Sequence, residues 1–466
     1  EKFITKNMNL SSTRKSLFNS IILFLVFVSM PCMMLIKDYK EHNRSLRFEA
    51  WDYAYNLLNS CEPNGILFTN GDNDTFPLWY LQEVEKIRND VKVVNLSLLN
   101  FDSYIRQLDE HNPPLGIFNL GECSIAEIKN KYSCEKENGK WTKNNKIDAF
   151  LEIIESENER QLYDYALQNW LRPIDMEKDT WNIDIKTDKF NFLWEFDKGQ
   201  YGFAKTNLVI MKIIESCFGT FPIYFSTTTG LNNLGLDDYF IQEGLVYKLV
   251  AAKNYTPMDI KMNIDKTLKM TKKANDTNII RTKEDFQKQW KIINNESAEG
   301  IYRYTNLDNS DVYYGPHIQR LSANYRNLFY TIAQNSLKNT DSLNIKYENF
   351  NESTIYNDID KLKPMIDDCF NVLNSSFAYF PIHILPTDYG YLNELLKISE
   401  HLRRNIILDY ASRKGLHEPL DSIQYNILYG IADSVDKIIG NRLENTLIHY
   451  ENNNINKTYD KFYNQR

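Results

Sequence analysis

The sequence predicts an α/β protein with a Rossmann-like parallel sheet, preceded by one transmembrane helix and continued by an all-α C-terminal region. Three observations predict it. Residues 16–36 contain no charged side chain and lie between Lys15 and Lys37; as a helix such a run spans about 30 Å, the thickness of a hydrocarbon core. Residues 65–98 read strand, helix, strand within about thirty residues, a spacing that makes the two strands parallel with a right-handed crossover. From residue 311 onward the apolar positions keep helical spacing.

Residues 1–15 are a polar flank. The chain starts at Glu1 rather than Met, so it reads as part of a longer protein. Residues 16–36 are apolar on all faces, which suits lipid better than a protein core. They are too long for a signal peptide, and no small-residue cleavage site follows them. Pro31 is tolerated in a membrane helix. Lys2, Lys6, Arg14 and Lys15 precede the span, while Lys37, Lys40, Arg44 and Arg47 follow it. Charge therefore does not set its orientation.

The α/β domain is expected over residues 37–250. A helix over 38–62 places Phe48, Trp51, Ala54, Tyr55 and Leu58 on one face. A strand at 66–69 leads into the turn 70–75 and a helix carrying Trp79, Tyr80, Val84 and Ile87. Asp74 or Thr75 is the natural N-cap of that helix, which puts Pro77 in its first turn, where a missing N–H costs nothing. A second strand follows at 91–96. Residues 98–103 repeat the pattern, with Asp102 or Ser103 as cap. Residues 110–200 form an insertion, irregular apart from a helix near 147–169. Residues 203–217 form a helix with Leu208, Met211, Ile214 and Phe218 inward, closed by Gly219. A third strand at 222–226 opens into Thr227, Thr228 and Thr229, and a further strand fits 245–250. Residues 251–310 are a connection with one helix around 283–293. Residues 311–466 are a helical, tetratricopeptide-like region with apolar stripes at 355–373, 392–402 and 431–443, although no clean 34-residue signature is present.

Composition excludes some functions. With 42% hydrophobic and 25% charged residues, most of the chain folds, and a net charge of −8 is wrong for a nucleic-acid surface. Neither a dinucleotide-binding nor a P-loop glycine pattern occurs. The six cysteines include no C-x-x-C pair, so no structural zinc is expected. Cys123 and Cys134 are the only close pair and are the candidate disulfide in an oxidising compartment.

Ligands of open α/β sheets bind at the carboxyl ends of the strands. That edge collects Asn70, Asp72, Asn73 and Asp74 from the first strand, Asn100 and Asp102 from the second, and Thr227 and Thr228 from the third. These are the candidate substrate-binding residues. Asp72 and Asp74 are a candidate pair for a divalent cation; no other cofactor is expected. The turn also has a structural reading, with Asp72 bonding loop amides and Asp74 capping the helix. A third reading is a haloacid-dehalogenase-like phosphatase with Asp72 as nucleophile and Asp74 beside it. Ser226 or Thr227, Lys248, Asp237 and Asp238 would then serve phosphate and Mg²⁺. Phe76 stands where that pattern wants Thr or Val.

The run from Gly65 through Asn70-Gly71-Asp72-Asn73-Asp74-Thr75-Phe76-Pro77-Leu78-Trp79-Tyr80 to Glu85, with Asp90 to Asn100, resembles the post-membrane region of a bacterial multi-pass family. That family is of unknown function and related to protein O-mannosyltransferases with a GT-C-type membrane domain. Phe221-Pro222-Ile223-Tyr224-Phe225, Leu234-Gly235-Leu236-Asp237-Asp238-Tyr239 with Glu243-Gly244-Leu245, and Tyr304 to Asp308 through Tyr325-Arg326 support it. The resemblance implies a membrane glycosyltransferase moving sugar from a polyprenyl-phosphate-linked donor to a protein or glycan acceptor. It implies a bacterial inner-membrane protein with its soluble part in the periplasm. The catalytic carboxylate of such enzymes lies in the membrane domain, outside this chain, so no catalytic residue is assigned here. The insertion over 118–190 departs from the family. The alternative is a membrane-tethered α/β and helical-repeat interaction module without catalysis.

Overall fold

The computed structural model describes residues 12–110, 121–124, 137–143, 150–151, 171–175, 180–186, 191–197, 205–229, 235–251, 261–275, 278–295, 299–341, 368–369, 371–381 and 384–385. Cys134 and the apolar stripes at 392–402 and 431–443 lie outside them, as does most of the stripe at 355–373.

Helix α1 spans Ser12–His42 with Pro31 inside it. Its apolar stretch Ser16–Ile36 is unburied, and it is the one helix among the described residues long and apolar enough to cross a membrane. Such an N-terminal helix serves as a membrane anchor or a signal sequence. Helix α1 runs six residues past the apolar stretch, and α2 starts only at Glu49 (Glu49–Ser60). Phe48 therefore lies outside the helix expected over 38–62 and is exposed. The joint between them is pinned. Lys40 Nζ donates to the Ser310 carbonyl at 3.0 Å, and Asn306 Nδ2 donates to the Leu46 carbonyl at 2.9 Å.

Strand β1 is Ile66–Thr69, helix α3 is Asp72–Trp79, and β2 is Lys92–Asn95. The first two strands pair in parallel, with Ile66 opposite Lys92. Helix α3 starts three or four residues earlier than a cap at Asp74 or Thr75 requires, so Pro77 falls inside it rather than in its first turn. A π turn at Tyr80–Val84 follows, a common way to absorb a disturbed hydrogen-bond ladder. Helix α4 is Asp102–Glu110.

Strand pairs β3 (Gly121–Cys123) with β4 (Trp141–Lys143), and β5 (Leu171–Asp175) with β6 (Thr180–Lys186) and β7 (Asn191–Asp197), form two small antiparallel sheets. The expectation of an irregular insertion with a single helix is corrected by these strands.

Helix α5 (Lys205–Cys217) leads into β8 (Ile223–Ser226), which pairs with β1 in parallel on the side away from β2. Strands β9 (Phe240–Glu243) and β10 (Val246–Leu249) form a hairpin, and β10 runs antiparallel to β8. Strand β11 (Lys261–Met262) completes the sheet in the order β11-β9-β10-β8-β1-β2. The fold is thus mixed α/β, and a wholly parallel sheet does not form. A two-residue hairpin can only reverse the chain, whereas parallel pairing needs a long crossover.

Alternation along the strands sorts the two faces. Ile66, Phe68, Val94, Ile223 and Phe225 pack with α4 and α5, together with Phe150 and Leu151 of the insertion. Leu67, Val93, Tyr224 and Val246 pack with α2 and α3. The second core is the larger, because later elements join it. They are α6 (Ile264–Thr271), α7 (Lys283–Asn294) and α8 (Pro316–Asp341), with the helix at 371–379. The connection thus holds two helices rather than one. Helix α8 lies directly behind α2: Tyr53 meets Tyr325 edge-on at 5.6 Å, and Asn56 Nδ2 donates to the Tyr325 hydroxyl at 2.7 Å.

Candidate functional site

The chain leaves β1 at buried Thr69 and turns at Gly71, whose φ of +75° and ψ of −173° suit glycine alone. This turn lets α3 start at once, with Gly71 as N-cap and no side-chain cap. The expected capping roles of Asp74 and Thr75 are therefore replaced by a polar knot.

Thr75 donates its hydroxyl to the Gly71 carbonyl at 2.7 Å and shares a 2.8 Å hydrogen bond with Thr69. Asn95, at the end of β2, donates Nδ2 to Thr75 Oγ1 at 2.8 Å and to the Gly71 carbonyl at 3.2 Å. Its Oδ1 accepts the amides of Ser97 and Leu98 at 2.9 and 3.1 Å. From β8, Ser226 Oγ bonds Thr228 Oγ1 at 2.7 Å, and Thr228 donates its hydroxyl to Asp74 Oδ2. Three parallel strand ends are thus laced by side chains of Thr69, Thr75, Asn95, Asp74, Ser226 and Thr228.

Burial pushes the Asp74 carboxyl above the ordinary carboxylate range, against the pull of the Thr228 hydroxyl and the Asn70 amide. Asp74 also raises the buried Tyr53 phenol, after burial itself. Tyr53 also lies beside Thr227, which puts the first half of α2 over this edge. Tyr53 is further held by Asn324 Nδ2 at 3.2 Å.

The expected residues separate into two groups. Asp74 and Thr228 belong to the knot. Asn70, Asp72 and Asn73 are exposed on the rim. Asn100 is exposed and donates Nδ2 to the Ser97 carbonyl at 3.1 Å. Asp102 pairs with Lys205 at the start of α5, and Thr227 is half-buried beside Tyr53. Exposed Asp72 and buried Asp74 point apart, as residues two apart on a helix do. Among the described residues no acidic or histidine cluster could hold a metal ion. The phosphatase arrangement fails on one partner in particular: Lys248 Nζ sits on Glu62 Oε1 at 2.8 Å, after the far end of α2. Burial and neighbouring Asp238 raise the Asp237 carboxyl to about 6. Asn95 and Thr69 were not among the expected site residues. A lone Asn closing an apolar strand is the signal that could have marked Asn95.

Two substitutions separate the roles of charge and hydrogen bonding at Asp74. The folded state raises its pKa, so its contribution to stability is full at low pH and is lost as pH rises through the folded value. Asp74→Asn keeps an acceptor for Thr228 and removes the buried charge, so stability at pH 7 should hold or rise. Asp74→Ala strands the Thr228 hydroxyl and should cost about 1–3 kcal/mol. Urea denaturation at pH 5 and pH 7 reads both.

Residues 50–269 match the family model of TMEM260-associated domain 2. TMEM260 is a membrane protein family, and no catalytic function is indicated. The match runs from the first turn of α2 into α6 and takes in the whole six-stranded sheet. No curated protein and no solved structure matches the chain.

Proposed function

We propose that this chain, which resembles a TMEM260-associated domain placed just after an apolar helix, is the non-cytoplasmic soluble portion of a membrane glycosyltransferase. It acts beside the catalytic membrane domain, without a catalytic group of its own. Sugar would pass from a polyprenyl-phosphate-linked donor to a protein or glycan acceptor, in the periplasm of a bacterium. One observation carries the reading: the strand-end edge lies on the side from which α1 enters. Helix α2 begins seven residues after α1 ends, and Tyr53 in its first half lies beside Thr227 at the end of β8. Twelve residues of helix lead about 18 Å away, and β1 returns.

The knot's polar atoms are engaged with one another, which favours holding over chemistry. What remains for a partner is the exposed rim of Asn70, Asp72 and Asn73. The test measures sugar transfer from polyprenyl-phosphate-linked donor in membranes carrying the full-length protein. Asp72→Ala with Asn73→Ala should reduce transfer about tenfold, with stability unchanged within about 0.5 kcal/mol. Unaltered transfer would remove the rim from the reaction. The self-satisfied knot also fits a tethered interaction module without sugar transfer. That reading gains if such membranes show no transfer while a photocrosslinker at Asn73 captures a membrane protein.

A further inference from the structure

A second concavity lies away from the strand-end edge. It is a groove of about 620 Å³ between the turn after α2 and helices α6 and α7, lined by Glu62, Asn64, Lys266, Gln287, Trp290 and Lys291 among others. Its size falls within the usual range for small-molecule sites, about 300–1,000 Å³.

Four of the charges around it are paired with each other. Lys248 and Lys266 both donate to Glu62 Oε1, at 2.8 and 2.7 Å, and Lys266 also reaches Glu243 Oε2 at 2.5 Å. Burial works against each charge, yet the two lysines hold Glu62 below the ordinary carboxylate range, and the two glutamates hold Lys266 above the ordinary lysine value. Two carboxylates and two ammonium groups cancel, so apart from exposed Lys291 the groove offers no strong field to an anion or a cation.

What it does offer is a flat apolar wall beside neutral hydrogen-bonding groups. Trp290 is half-buried, with Lys266 Nζ 5.8 Å from its ring centroid and its ring parallel to Phe286 within 1° at 6.3 Å, so stacking uses the ring face left open by Lys266. Phe286 is in turn buried under the Arg88 guanidinium, 4.6 Å above its ring. The indole is therefore rigidly placed. Gln287 and Asn64 are exposed beside it, and both lysines use the same oxygen of Glu62. An aromatic ring flanked by amide and carboxylate groups suits a pyranose, which has a C–H face for stacking and hydroxyls at its rim.

We propose that this groove binds a neutral saccharide, stacked against Trp290 and hydrogen-bonded by Gln287, Asn64 and Glu62. The site does not depend on the function proposed above, and its test involves no sugar transfer. The full chain is reconstituted in phospholipid nanodiscs, since sugar-headgroup detergents would compete. Mannotriose, cellotriose and chitotriose are then titrated calorimetrically. At least one should bind with a Kd below about 1 mM, and Trp290→Ala should weaken it about tenfold or more. Because Trp290 is partly packed in the core, Gln287→Ala, at an exposed position, provides the second reading. It should weaken binding several-fold without moving the melting temperature. No binding by any of the three up to about 10 mM would overturn the proposal. So would an affinity that neither substitution alters.

Discussion

Arg88→Ala is expected to cost about 3–5 kcal/mol, the range for removing one partner of a buried charged pair. Arg88 is fully buried between α3 and β2. Its guanidinium forms a fork on Asp90, with Nε to Oδ1 at 2.9 Å and Nη2 to Oδ2 at 3.0 Å. The other donors close the end of α2: Nη1 bonds the Leu58 carbonyl at 3.1 Å and Asn59 Oδ1 at 3.2 Å, and Nη2 bonds the Cys61 carbonyl at 3.1 Å. One side chain thus satisfies terminal carbonyls and places a positive charge where the helix dipole favours it. Truncation leaves Asp90 charged and these acceptors without their donor. Arg88→Lys should rescue little, because an ammonium group lacks the planar fork.

Burial alone would raise the Asp90 carboxyl, but the hydrogen bond and charge of Arg88 hold it below the ordinary carboxylate range. Its contribution to stability is therefore full above an unfolded value of about 3.9 and is lost as pH falls through the folded value. Urea melts at pH 7 and pH 3 should show the Arg88→Ala deficit shrinking in acid. A loss under about 1 kcal/mol at pH 7 would mean that the pair does not hold α2 in place.

Gly300→Ala is expected to cost about 3 kcal/mol or more, at the top of the range for overpacking. A Cβ there would stand 1.8 Å from the Lys272 carbonyl oxygen, 2.3 Å from its carbonyl carbon and 2.6 Å from its Cα. All three are backbone atoms, so no rotamer change can relieve the clash. The segment that would have to move is bonded in series. Ile301 and Tyr302 donate their amides to the Met270 carbonyl at 3.1 Å, and Ala274 donates to the Tyr302 carbonyl at 2.7 Å. The Tyr302 hydroxyl in turn accepts the Leu245 amide at 3.0 Å. Displacing Gly300 therefore reaches the β9–β10 hairpin. Gly315→Ala is the control. Its Cβ would meet only Tyr313 Cε1, at 3.8 Å, and the loss should stay within about 1 kcal/mol. Equal melting temperatures for the two variants would contradict the close-approach argument.

The β1–α3–β2 unit was legible because its signals are local. An apolar run, a polar turn, a helical stripe and a second apolar run follow within about thirty residues, and chirality leaves one arrangement. The membrane-type helix was legible for the same reason. The knot was not, because its bonds join distant residues: Thr228 reaches Asp74 across 154 positions, and nothing around Asp74 distinguishes a lacing carboxylate from a cap. Helix α6 was missed because it is only eight residues long: Ile264 and Leu268 make a single apolar pair, and the fully buried positions include Thr267 and Thr271. Strands β6 and β7 were missed although their signal was present. Trp181, Ile183 and Ile185 alternate with polar residues, and Phe192, Trp194 and Phe196 recur at every second position with only Leu193 breaking the polar alternation, the period of a strand. The hairpin between β9 and β10 sets β10 alone against the other five strands of the sheet, and hydrophobic pattern does not encode direction.

The tyrosine contacts between α2 and α8 set a timetable for making the protein. Asn56 waits for the Arg303 backbone, 247 positions later, and for Tyr325, 269 positions later. At ordinary elongation rates that interval is on the order of tens of seconds. Until it passes, the face of α2 bearing Tyr53 and Leu57 has nothing to close over it, although β1 and β2 have already been synthesised. The nascent chain would emerge beside a bilayer with an open apolar flank, a species for a holding chaperone. A piece ending at residue 269 would lack Arg303 and Tyr325 and would stay in that condition.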